Sequence, residues 1–395
     1  MSNRTLFYKY LAQTSSFPLA LEIESADGLY MTDPEGKTYM DLISGISVSA
    51  LGHRHPVVMK AMRDQMDKYM HLMVYGELVQ APQTKLAELL VSNLPEPLDN
   101  VYLTNSGSEA VEGALKLAKR HTGRTEIVHF RNAYHGSTQG ALSVAGNEKL
   151  KNAFRPLLGD IRQLTFNNPE DLEQISERSA CVIAETIQGE AGAVVPDVGF
   201  MQSLRKRCDE TGTLLILDEI QAGMGRTGKL WAFEHYGIVP DVLTLAKGFG
   251  GGMPIGAFIA SKKIMQSLTD QPILGHITTF GGNAVCAAAA HATLQFILDN
   301  KLWENARQLH EVFKQNLIHP KIKSLKGKGL LLAIEFEDFK RNKKVIDRCV
   351  HNGLLTDWFL FADHSLRLAP PMIINESEAI KACHILIQSI DEALV

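Results

Sequence analysis

Two residues of this 395-residue chain stand where chemistry is easiest to arrange. Asp218 closes the apolar run LLILDE (214–219), and Lys247 closes DVLTLAK (241–247). Apolar runs that stop on a charge read as strands buried on both faces of a parallel sheet. Ligands of such sheets bind beyond the carboxyl ends of the strands. The lysine is followed by four glycines in five residues, GFGGG. A carboxylate and an amine on neighbouring strand ends suit pyridoxal phosphate, whose aldehyde needs a lysine and whose ring nitrogen needs a carboxylate. The competing reading is a structural Asp–Lys pair with a flexible loop behind it.

A second candidate is Thr104-Asn105-Ser106-Gly107-Ser108-Glu109, small residues between a strand and a helix start. Free backbone N–H groups and the helix dipole favour an anion there, so the segment reads as a phosphate cup. An ordinary N-cap by Ser106 or Ser108, with Glu109 in the first turn, explains the serines and the glutamate but not Gly107.

The elements that must position these residues alternate. Residues 1–55 predict a helix and a small meander broken at Asp27-Gly28 and Pro34-Glu35-Gly36. From Pro56 the spacing is helical, in HPVVMKAMRDQMDKY and PQTKLAELLVSNL. Strands at 101–105, 125–130, 181–186, 214–219, 241–246 and 256–261 then alternate with helices, which predicts an α/β fold with a mostly parallel sheet covered by helices. A small-residue helix from about Ala284 leads into an α+β remainder. The expected organisation is an N-terminal segment, 1–55, belonging to a smaller domain; a large cofactor domain, 56–288; and a C-terminal part of the small domain, 289–395.

Composition narrows the function. A hydrophobic content of 45% with 21% charged residues is that of a globular enzyme, and a net charge of −4 disfavours a nucleic-acid partner. No apolar leader or membrane-length run is expected. The five cysteines are scattered without CxxC spacing, as in reduced cytoplasmic proteins. His53, Arg54 and His55 suggest a turn rather than a metal site, and no metal is expected.

The order of motifs carries more than any one of them. The phosphate cup is followed by AYHGST (133–138), AETIQGEAG (184–192), LDEIQAGMGRTG (217–228), LAKGFGGGMPIGA (245–257) and TTFGGN (278–283). This resembles the class III pyridoxal-phosphate aminotransferases of fold type I, the group of acetylornithine, ornithine and 4-aminobutyrate aminotransferases. The likeness runs from DGLYMTDPEGKTYMDLISGISVSALGHRHP to LRLAPPMII.

The resemblance implies that Lys247 is the Schiff-base lysine and proton shuttle, and that Asp218 holds the pyridine nitrogen protonated. It implies further that Gln221 contacts the ring hydroxyl, that Gly107 and Ser108 bind the phosphate, and that Tyr134 stacks on the ring. Thr279 matches a threonine reaching the phosphate of the neighbouring subunit, which implies a homodimer with shared active sites. Thr278 and Tyr75 are candidate substrate contacts. Arg367 matches the arginine that grips a substrate α-carboxylate, and Glu185 is expected to pair with it when no such carboxylate is present. Glu190 is expected to order its loop, and Glu219, alternating with Asp218, to be structural. Tyr134 as plain core, Gln221 as a strand-end hydrogen-bonder and the threonines as turn residues are the rival readings.

Two departures bear on the substrate. Ile46 stands where ornithine-type relatives carry a tyrosine, and Ser137 where many acetylornithine-type relatives carry an arginine. The expected activity is transfer of an amino group from an ω-amino donor to a 2-oxo acid such as 2-oxoglutarate or pyruvate. A decarboxylase or aminomutase using the same cofactor, and a cofactor-free binding protein, are the alternatives.

Overall fold

The computed structural model describes residues 2–74 and 76–394, so Tyr75 lies outside the described residues. Three short strands, β1 (Ser25–Asp27), β2 (Tyr30–Thr32) and β3 (Thr38–Asp41), form the N-terminal antiparallel meander. The central sheet comprises β4 (Asn100–Thr104), β5 (Glu126–Phe130), β6 (Ile161–Leu164), β7 (Ser179–Glu185), β8 (Leu214–Asp218), β9 (Val242–Leu245) and β10 (Gly256–Ala260). Its order is β4-β10-β9-β8-β7-β5-β6, and only β10 runs against its neighbours, pairing antiparallel with β4 and β9. The expected α/β architecture with a mostly parallel sheet is what forms.

Burial explains the sheet. Every residue of β5, β7, β9 and β10 is buried, as is all of β8 beyond Leu214, because helices cover both faces. The helix Gly107–Thr122 buries Ala110, Val111, Ala114, Leu115, Leu117 and Ala118, the i, i+4, i+7 stripe of a helix laid on a sheet. It ends where Gly123 adopts a left-handed φ of 68°, with Lys119, Arg120 and His121 in the last turn against the negative end of the dipole. The alanine-rich helix Ala284–Asp299 is buried against the helices Pro56–Met66 and Ala81–Val91, its small side chains allowing close approach.

Beyond it, β11 (Ser324–Lys328), β12 (Leu331–Glu335), β14 (Asp357–Trp358) and β15 (Ser365–Leu368) form an antiparallel sheet in the order β11-β12-β15-β14. The intervening β13 (Leu354–Leu355) joins the N-terminal meander in parallel with β3, so the two ends of the chain share one sheet. Between meander and central sheet the backbone makes a left-handed turn, with φ of 46° at Ser44, 62° at Gly45 and Ile46, and 65° at Ser47. Each non-glycine residue there costs roughly 1–2 kcal/mol. Asp41 offsets part of this by accepting the N–H groups of Ile43 and Ser44, both at 2.8 Å. The turn delivers Val48 to the cavity described next.

Candidate active site

The carboxyl ends of β7, β8 and β9 place three ionisable groups together. Glu185 and Asp218 are direct partners in the parallel β7–β8 register. Lys247 lies two residues beyond β9 and is itself left-handed, with φ of 49°, at the start of a short 3-10 turn. A lysine held in that backbone state is a local cost that a functional position accounts for. Glu185, Asp218 and Lys247 line a cavity of 440 Å³ together with Gly107, Ser108, Tyr134 and Gln221. Seven of the ten expected site residues therefore converge from five separate stretches of chain.

Each is held by identifiable contacts. Asp218 Oδ2 accepts from, or shares a proton with, His135 Nδ1 at 2.7 Å, and its Oδ1 accepts the Ile220 N–H at 2.9 Å. Its carboxylate is thus fixed before any ligand arrives. Burial pushes the Lys247 amine down; the negative charge of Glu190 opposes this and the Arg367 charge adds to it. Burial pushes Glu185 up to about 7, with the Asp218 charge adding and His135 opposing. Its two oxygens accept the backbone N–H groups of Tyr134 at 2.9 Å and Gly189 at 2.8 Å.

Helix 107–122 opens into the same cavity. Ser106 caps it, accepting from Glu109 N at 3.2 Å, while the Glu109 carboxylate accepts from the backbone and side chain of Asn105. A Cβ on Gly107 would come within 2.9 Å of the Ile220 side chain, so close packing explains the glycine that capping leaves unexplained. Gly136, at φ of 128°, lets the Tyr134–Ser137 loop press against Ser108.

Beside the cavity lies Arg367, only 1% exposed. Its Nη1 and Nη2 donate to the two oxygens of Glu190 at 2.7 and 2.9 Å, its Nε donates to Asp357 Oδ1 at 3.0 Å, and its guanidinium lies 4.5 Å from the centre of the Phe359 ring. Burial alone would raise the Glu190 carboxyl, but the charge and hydrogen bonds of Arg367 overcome it and hold Glu190 below its usual range. Asp357 is pushed up to about 6, by burial and by the neighbouring Glu190 charge, with Arg367 opposing.

This corrects one expectation. The carboxylate on Arg367 is Glu190 and not Glu185. Glu185 ends β7 with both oxygens occupied by backbone N–H groups, whereas the loop beyond it folds back through the Gln188–Val194 bridge and carries Glu190 to the arginine. Glu190 does also order its surroundings, accepting the Leu360 N–H on its side chain and the Phe361 N–H on its backbone. Glu219 accepts the backbone N–H groups of Ala232 and Phe233, at 2.7 and 2.6 Å, and so holds the turn there.

Thr278 and Thr279 do not line the cavity. Thr278 Oγ1 accepts from the Asn105 side chain at 3.0 Å, and Thr279 is exposed. Two contributors are not singled out by the sequence, His135 behind Asp218 and Asp357 across the strand from Arg367, and Glu190 is read there only as a loop-ordering residue and not as the partner of Arg367. His135 sits inside AYHGST and Glu190 inside QGEAG, so a polar residue beside each expected contact was the available signal.

The residues fit pyridoxal phosphate. The amide Nε2 of Gln221 is buried at the cavity wall with no partner among the described residues, a donor awaiting an acceptor, and Lys247 and Asp218 share the same walls. The helix N-terminus offers the anion-binding end that a phosphate needs.

Comparison with known proteins agrees. Residues 11–390 match the family Aminotransferase class-III. The chain is 38% identical over 388 residues to an acetylornithine aminotransferase of Methanopyrus kandleri, covering 97% of each chain. It is 40% identical over 321 residues to a [LysW]-aminoadipate semialdehyde/glutamate semialdehyde transaminase of Sulfolobus acidocaldarius, covering 80% of this chain and 81% of that one. Among solved structures it resembles the ornithine aminotransferase of Toxoplasma gondii, with partial occupancy of PLP at its active site (TM-score 0.90, 29% identity, 98% of this chain and 93% of that one).

Proposed function

This chain belongs to the class III aminotransferases, and from that premise we propose that it moves an amino group from a terminal (ω) amine to a 2-oxo acid such as 2-oxoglutarate or pyruvate. The reaction is a pyridoxal-phosphate-dependent transamination. The observation that carries the donor class is the closed Glu190–Arg367 pair. A terminal amine brings no carboxylate next to its reacting carbon, and an unpaired buried arginine would oppose it. Glu190 supplies the missing carboxylate internally. A 2-oxo acid brings its own and takes the place of Glu190 on the fork. Relatives named for acetylornithine and for semialdehydes of aminoadipate and glutamate support a donor whose reacting nitrogen is at a chain end. An acetylornithine-like or 4-aminobutyrate-like compound fits.

When bound, pyridoxal phosphate supplies an electron sink for the charge left on a donor carbon that loses its proton. The side chains do the rest. Asp218, braced by His135, would keep a proton on the pyridine nitrogen, and the buried Gln221 amide would donate to the ring hydroxyl. Ser108 and the first N–H groups of the helix would bind the phosphate. Lys247, lining the cavity, would hold the aldehyde and, as a free amine, would carry a proton to and from the donor carbon. Its pKa, lowered by burial, favours the neutral amine that this step requires. Tyr134, on the cavity wall, would cover the ring and exclude water.

We place the protein in the cytoplasm as a homodimer. All five cysteines are free and buried, which suits a reducing compartment. No helix of the described residues is long and apolar enough to cross a membrane. Thr279 lies in a loop that also exposes Ile273, Leu274, Ile277 and Phe280, an apolar face that a second copy would cover while its threonine completes the neighbouring phosphate site.

A half-reaction screen tests the donor class. Cofactor absorbance of the reconstituted enzyme should bleach with N-acetylornithine, 4-aminobutyrate or a related terminal amine, and recover with 2-oxoglutarate. Bleaching by α-amino acids alone would overturn the reading.

A further inference from the structure

Arg367 carries two carboxylates, and they occupy different edges of its guanidinium. Glu190 takes the outer fork, Nη1 and Nη2, which is the bidentate face an α-carboxylate needs. Asp357 takes the inner edge through Nε, and the Trp358 carbonyl accepts from Nη2 at 3.2 Å. Phe359 supports the plane from one face. Asp357 and Arg367 are direct partners in the antiparallel register of β14 and β15, so their contact is set by the sheet and not by a mobile loop. Glu190, by contrast, stands on the fold-back that follows Gln188, outside any named strand.

We propose that Asp357 is a positioning residue for the 2-oxo acid: it holds the Arg367 fork in the plane that the substrate carboxylate takes over when Glu190 leaves. The inference rests on the assignment of Arg367 as the carboxylate receptor and adds a division of labour to it. Glu190 is the exchangeable partner and Asp357 the permanent one. Without Asp357, departure of Glu190 would leave the guanidinium held only by the Trp358 carbonyl and the Phe359 face. It could then turn away from the geometry that two parallel hydrogen bonds demand. A substrate carboxylate can replace Glu190 without contacting Asp357, because the two edges do not overlap.

The test uses reconstituted full-length enzyme and reads each half-reaction separately in Asp357→Ala, Asp357→Asn and Arg367→Ala. Asp357→Ala should raise the half-saturating concentration of 2-oxoglutarate roughly tenfold to a hundredfold, while the terminal-amine half-reaction changes by less than about threefold. Asp357→Asn keeps an oxygen for the Nε donor, so it should restore saturation to the wild-type value or below it. An Asn variant as impaired as the Ala variant, or equal losses in the two halves, would overturn the positioning role. If Arg367→Ala weakens 2-oxoglutarate but Asp357→Ala does not, only the inference about Asp357 fails. If Arg367→Ala leaves 2-oxoglutarate saturation unchanged, the receptor assignment itself falls, and the inference with it.

Discussion

Replacing Glu190 with alanine should damage one half-reaction far more than the other. The substitution removes two charge-assisted hydrogen bonds, at 2.7 and 2.9 Å, from an arginine that is 1% exposed. Breaking a fully buried ion pair costs about 3–5 kcal/mol. Here Asp357 remains on Nε at 3.0 Å, which keeps a counter-charge in place. The residual cost is therefore that of lost hydrogen bonds to a charged group, about 1.5–3 kcal/mol. At 1.4 kcal/mol per tenfold, the terminal-amine half-reaction should slow by roughly 10- to 150-fold. The 2-oxo-acid half-reaction supplies its own carboxylate and no longer competes with Glu190, so its saturation should hold or tighten. Rapid mixing of each substrate with the appropriate cofactor form, followed by absorbance, measures both rates on the same preparation. Equal slowing of the two halves, or a larger loss with 2-oxoglutarate, would refute the exchange of Glu190 for substrate.

Other expectations are as direct. Lys247→Ala should abolish turnover and borohydride-stable attachment of the cofactor with an unchanged far-ultraviolet spectrum; a surviving lysine adduct would reassign the anchor. Asp218→Asn should still bind cofactor but slow single-turnover proton abstraction by about 10²- to 10³-fold, because an amide cannot hold the pyridinium charge; His135→Leu should reproduce part of that loss. Glu219, pushed up to about 8 by burial, favours the protonated folded state. Its contribution is complete below the ordinary glutamate pKa and is lost as pH rises through about 8, so thermal stability should fall across that window by the equivalent of a few kcal/mol, on the order set by the shift. Glu219→Gln should reduce that slope in melting curves to the part Glu185 and Asp357 contribute, and an unchanged slope would remove Glu219 as a source. Phe280→Glu should yield monomers by light scattering and lower cofactor affinity; a fully active monomer would dismiss the shared site.

Much of this was legible because parallel strands buried on both faces leave a strong apolar signature. β7, β8 and β9 read clearly for that reason, and with them the positions of Asp218 and Lys247 at their ends. The edge strand β6, IRQL, is partly exposed and short, so its pattern did not stand out from the loop around it. Within the site, the residues on strand ends and at the helix start were placed by local pattern and family likeness. The partner of Arg367 was not, since Glu185 and Glu190 both lie in AETIQGEAG and the choice depends on how the backbone folds back between Gln188 and Val194. Asp357 escaped for a related reason. Its strand is two residues long, too short for alternation to show, and its link to Arg367 exists only across the β14–β15 pair.

The fate of a labelled nitrogen reads the transfer itself. The enzyme, reconstituted with pyridoxal phosphate, would be given a terminal amine labelled with ¹⁵N and unlabelled 2-oxoglutarate, with Lys247→Ala as the blank. ¹⁵N-glutamate should form in step with an aldehyde from the donor, and neither product in the blank. Label retained in a donor that loses carbon dioxide or shifts its amine to a neighbouring carbon would contradict the transfer.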